Sequence, residues 1–115
     1  MTPESHNLLG EEELRAMKPG AYLINISRGA IVDEEALIRA LKEKWIAGAG
    51  LDVFTTEPLS SESKIWGLPN VIFSLHISGE MENYEVRATE VFCKNLRCYV
   101  EGKKFPRVVD PKKGY

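Results

Sequence analysis

A chain of 115 residues with 43% hydrophobic residues and a formal net charge of −2 has the size and balance of one soluble globular domain. Its Lys and Arg residues are scattered rather than striped, which argues against nucleic acid, and no apolar run reaches membrane-spanning length. The opening Met1-Thr2-Pro3-Glu4-Ser5 lacks the charged and apolar regions of a secretory signal, so a cytoplasmic location is expected.

Residues 1–9 read as a polar lead-in, with His6 on the surface. Glu11-Glu12-Glu13 suit the positive end of a short helix carrying Leu14 and Met17, which Lys18-Pro19-Gly20 stops. Residues 21–26 form the first expected strand, and the turn Ser27-Arg28-Gly29 ends it. Asp33 is a good N-cap for a second helix, whose Leu37, Ala40 and Leu41 recur at helical spacing and should face a sheet. Trp45-Ile46 then connect to Ala47-Gly48-Ala49-Gly50, small residues that allow helix and strand to approach closely. Leu51-Asp52-Val53-Phe54 is expected to complete the second strand, which Pro58 keeps from continuing. Residues 59–70 read as a loop with one helical turn, with Ile65, Trp66 and Leu68 tucked under the sheet.

The third strand is 71–73, an apolar run followed by Ser74-Leu75-His76-Ile77-Ser78-Gly79. A long helix over 84–101 carries Ala88, Val91, Phe92, Leu96 and Tyr99 at helical spacing, and the tail from 103 is irregular. Cys93 and Cys98 sit five steps apart on it, about 140° around the axis, so an intramolecular disulfide is not expected. No nearby His or Cys completes a metal set. Strands alternating with helices give an α/β class: a partial Rossmann-like three-layer fold with a short parallel sheet of about three strands flanked by helices.

Three strand ends then deliver Arg28, Asp52 and His76 to one rim of that sheet, and Glu57 can reach the same rim. Open α/β sheets bind ligands at the carboxyl ends of their strands. Taken singly, each residue has a plainer reading: a surface arginine, a turn-forming aspartate, a loop glutamate, a structural histidine.

Their order and surroundings change that. The runs Leu23-Ile24-Asn25-Ile26-Ser27-Arg28-Gly29, Gly48-Ala49-Gly50-Leu51-Asp52-Val53-Phe54-Thr55-Thr56-Glu57-Pro58 and His76-Ile77-Ser78-Gly79 resemble the D-isomer-specific 2-hydroxyacid dehydrogenases. Thr2-Pro3-Glu4-Ser5 and Met17-Lys18-Pro19-Gly20-Ala21 fit the same family in the same order. The chain contains no G-x-G-x-x-G, so the resemblance is to the second half of a Rossmann NAD(P)-binding domain over residues 1–102. Residues 103–115 would return to the substrate domain, making the chain a truncated form of the family's plan.

The resemblance implies roles for individual residues. His76 would be the acid/base, Glu57 its partner, and Arg28 the grip on a substrate carboxylate, for which a guanidinium fork is suited. Asp52 would accept a hydrogen bond from the nicotinamide carboxamide of NAD or NADP. Ile26, Ser27, Arg28, His76, Ser78 and Gly79 would complete that half-site, Gly79 by allowing a backbone shape or approach that a side chain obstructs. Ser74-Leu75 stands where the family commonly has Thr-Pro, which leaves the backbone before His76 freer.

The function implied is reduction of a small 2-keto acid, or oxidation of a D-2-hydroxy acid, by an oxidoreductase of which this chain supplies the Arg/Glu/His set. The chain alone is expected to show little turnover. The alternatives are a non-catalytic remnant that self-associates through an exposed sheet edge, giving a homodimer or other homo-oligomer, and a nucleotide-sensing module.

Overall fold

A computed structural model of the chain describes residues 2–106 and 108–113. It divides into two compact units, Met1–Ser78 and Gly79–Tyr115, a division that does not coincide with the expected boundary at 102/103.

The first unit is built on a parallel sheet of three strands in the order β1 (Tyr22–Asn25), β2 (Gly48–Leu51) and β3 (Val71–Phe73). Leu23 pairs with Ala49 and Ala49 with Val71, while Asn25 pairs with Leu51 and Leu51 with Phe73. Because side chains alternate across a strand, these positions share one face. Leu23, Ala49 and Leu51 there join a buried cluster with Leu37 and Leu41 of helix α2 (Glu34–Lys42) and Leu14 of helix α1 (Glu11–Ala16). Asp33 caps α2 as expected, its Oδ1 accepting from the Ala36 N–H at 3.0 Å. Glu11 ties the two helices together, with ion pairs of 2.8 Å to Arg15 and to Arg39.

A parallel sheet of three strands with flanking helices is the α/β arrangement expected, and within this unit the buried cluster covers one of its faces. Tyr22, Ile24 and Ile72 line the other face and are well exposed. The glycines work on that same face: a Cβ at Gly48 would meet the Asn70 carbonyl at 2.7 Å and the Tyr22 ring at 3.0 Å. Their small size serves strand neighbours and the Tyr22 ring rather than helix approach.

Several boundaries shift from expectation. Residues 1–9 are more than a lead-in, because Leu9 bridges Val32 and the Asn7 and Leu9 amides donate to Ala30 and Ile31. The second strand stops at Leu51, since the Phe54 N–H turns to a side chain, that of Glu57. Within the loop, Ile65 and Leu68 are buried as expected, but Trp66 is 46% exposed and donates its indole N–H to the Ser60 carbonyl at 2.8 Å. In the second unit, helix α3 (Tyr84–Val100) buries none of its residues, Cys93 and Cys98 are free thiols, and no helix or strand follows among the described residues.

Gly29 is set by space. A Cβ there would lie 1.9 Å from the Phe54 carbonyl carbon, a backbone atom that cannot swing aside. Gly29→Ala is therefore expected to cost about 3 kcal/mol or more, read as a lowered denaturant midpoint. Ile65, 1% exposed, joins the loop to the core; Ile65→Ala should cost about 2–5 kcal/mol in the same measurement.

Candidate active site at the carboxyl ends of the strands

Each strand ends in a turn that a polar side chain holds in shape. At the end of β1, buried Asn25 accepts from the Ser27 N–H at 3.1 Å and donates its amide to the Arg28 carbonyl at 3.0 Å. The turn over Ile26, Ser27 and Arg28 thus folds around one side chain, leaving Ile26 63% exposed. The Arg28 guanidinium is exposed and donates to the Ser27 carbonyl at 2.7 Å.

After β2, Asp52 donates its N–H to the Asn25 carbonyl at 3.0 Å, which locks the first two strand ends together. Its carboxylate is buried, with the residue 2% exposed. One oxygen accepts from the Ser74 hydroxyl and from the Ile77 N–H at 2.9 Å; the other accepts from the Ser78 N–H at 2.9 Å. Bonds from the Ser74 and Ser78 side chains hold the carboxyl well below the usual carboxylate range, helped by both amides and opposed by burial. Asp52 is the anchor of the loop that carries His76.

Beyond β3, the Ser74 N–H donates to the Leu51 carbonyl at 3.0 Å, continuing the ladder by one bond. His76 follows with φ of 57°, in the left-handed region, and its Nδ1 lies 2.8 Å from Glu57 Oε2. Glu57 in turn accepts from the Phe54 N–H at 2.9 Å through Oε1. That N–H is the main reason the Glu57 carboxyl sits below its ordinary value; His76 hydrogen bonding and charge and the Arg28 charge add to it. An ionised carboxylate only accepts, so Nδ1 carries the hydrogen and Nε2 is left for another partner. A cavity of about 510 Å³ adjoins this pair, lined by Phe54, Leu59, Trp66, Phe73, Glu57 and His76 among others.

The structure thus brings Glu57 and His76 into contact, sets Asp52 behind the loop, and places the Arg28 charge where Glu57 feels it. Ser27 and Ser78 stand in the same turns, exposed. Gly79, expected to give a backbone shape or approach that a side chain obstructs, has neither here: a Cβ there would meet nothing within 4 Å among the described residues, and the left-handed φ belongs to His76. Sequence reasoning missed Asn25 and Ser74 as organisers. The signal for Asn25 was a lone amide inside an apolar strand, and for Ser74 a hydroxyl directly ahead of the histidine. The rim also offers apolar surface at Ile26 and Ile77, 63% and 49% exposed, to which a flat ring such as nicotinamide is suited.

Known proteins resemble this chain in sequence and in fold. Residues 1–78 match the family model described as the D-isomer specific 2-hydroxyacid dehydrogenase NAD-binding domain. The glyoxylate reductase of Thermococcus litoralis is 46% identical over 110 residues, covering 96% of this chain and 33% of the relative. Among solved structures, a D-isomer specific 2-hydroxyacid dehydrogenase from Xanthobacter autotrophicus Py2, in complex with NADPH and MES, superposes with a TM-score of 0.90 at 38% identity. It covers all of this chain and 47% of that one. The NADPH-dependent glyoxylate/hydroxypyruvate reductase of Sinorhizobium meliloti, in complex with NADP and sulfate, gives 0.88 at 28% identity, covering all of this chain and 37% of that one. The chain spans about a third of the length of the curated relatives it matches. Residues 1–78, which carry Asp52, Glu57 and His76, match an NAD-binding domain: the chain belongs to the D-isomer specific 2-hydroxyacid dehydrogenase family.

Proposed function

We propose that this chain supplies the proton-transfer and carboxylate-binding groups of an NAD(P)-dependent oxidoreductase acting on small 2-hydroxy or 2-keto acids. The observation that carries this reading is the 2.8 Å contact between His76 Nδ1 and a Glu57 carboxylate kept ionised by the Phe54 N–H. With Nδ1 engaged, His76 Nε2 exchanges the proton of the substrate oxygen, and Glu57 stabilises the imidazolium that donates it. Arg28 holds the substrate carboxylate through its guanidinium fork. The nicotinamide, when bound, supplies or accepts the hydride. Ile26 and Ile77 offer its ring apolar surface, and Asp52, expected to accept from the carboxamide, is buried with both oxygens engaged and serves the half-site by fixing the Ile77 and Ser78 backbone.

A second reading is favoured by one observation. β1 has a neighbour on one side only among the described residues, so its other side presents backbone groups to a further strand. Self-association through that edge predicts a dimer at high concentration by light scattering; a monomer throughout counts against it.

Titration of the 115-residue chain with NADH, followed by NMR, tests the first reading. Shifts are expected near residues 26–28, 52 and 76–79 and nowhere else; shifts spread over the chain, or none, would overturn it. Arg28→Lys should weaken binding of glycolate by about tenfold or more, since Lys cannot copy the two-point grip.

Acid sensitivity follows from the two carboxylates. Both are depressed in the folded chain, so their stabilisation is complete above the ordinary carboxylate values and is lost as pH falls through the lowered ones. Tm should stay level down to about pH 5 and decline below about pH 4, and Glu57→Gln should make that decline shallower.

A further inference from the structure

We propose that Ser74 is a positioning residue for His76, acting through Asp52; the inference rests on the reading of His76 as the acid/base group. His76 occupies the left-handed region, which non-glycine residues adopt rarely and keep only where their surroundings over-determine it. Glu57 holds its imidazole, but little packs on its backbone. Leu75 before it is 77% exposed, and Ile77 after it is 49% exposed, so packing does not fix the loop. Neither neighbour is a proline that would stiffen the backbone.

What holds the backbone on either side of it is one carboxylate, that of Asp52. Asp52 takes the Ser74 hydroxyl on one side of His76 and the Ile77 and Ser78 amides on the other, so the histidine is bracketed by bonds to a single buried group. Ser74 is itself tied to the sheet through its N–H to the Leu51 carbonyl. The hydroxyl therefore transmits the fixed position of β2 and β3 to the carboxylate, and the carboxylate transmits it to the backbone on the far side of His76. Without the hydroxyl, Asp52 Oδ1 keeps one donor of two. With that donor gone the carboxylate is held less firmly, and the bonds from both amides weaken with it.

Amide hydrogen exchange on the 115-residue chain tests this with Ser74→Ala, Ser74→Thr and Ser74→Val. The Ile77 and Ser78 amides are expected to exchange roughly 10- to 100-fold faster in the Ala and Val variants, the range for losing one charge-assisted hydrogen bond. Thr, which restores the hydroxyl, should return them to within about threefold of the parent chain. The Ala49 amide, bonded to the Asn70 carbonyl at 3.0 Å in the sheet, is the internal reference and should not change. The His76 Nδ1–H resonance should be visible in the parent and Thr chains and lost in the Ala and Val chains. Unchanged exchange in Ser74→Ala, equal acceleration at Ala49, or a Val chain behaving like the Thr chain would each overturn the proposal. None of these readouts uses cofactor or turnover, so they stand or fall separately from the NADH titration.

Discussion

A carboxylate removed from water must be surrounded by donors, and at Asp52 that requirement organises the rim of the sheet. Its side chain gathers the Ser74 hydroxyl and the amides of Ile77 and Ser78, while its own N–H reaches back to Asn25. Through those bonds the ends of all three strands share one fixed point. The charge tolerates burial because each donor favours the ionised form, and the loop tolerates an unusual backbone at His76 because the charge holds it on both sides.

Two acids from one short segment then divide the work. Asp52 turns inward and fixes backbone; Glu57, five residues on, turns to the imidazole and is half exposed. The Phe54 N–H between them steadies Glu57, so the carboxylate that meets His76 is itself anchored to the chain that leaves β2. This is the physical sense in which the strand's early end matters. Had the ladder run on to Phe54, that N–H would have been committed to a neighbouring strand.

The α/β class, the three strands, the Asp33 cap and the buried faces of α2 were legible because apolar spacing and capping chemistry are local. Glu57 and His76 were legible as a pair only through the family resemblance; nothing in spacing alone brings residues 19 apart into contact. What stayed hidden was of another kind. Asn25 and Ser74 act by hydrogen bonds across 2 to 22 positions, and a polar residue in or beside an apolar strand does not announce which partner it will find. The expectation for Trp66 failed because an indole has two ways to be satisfied. Its ring packs edge-on against Phe73 at 4.9 Å while its N–H reaches Ser60, and neither needs full burial. Gly79 misled because glycine signals freedom without saying whether the fold uses it.

The residues from Asn25 to Ser78 that build the rim all belong to one compact unit with its own core. The separation between the His76 imidazole and the Glu57 carboxylate is therefore set inside that unit, by bonds that begin and end within it.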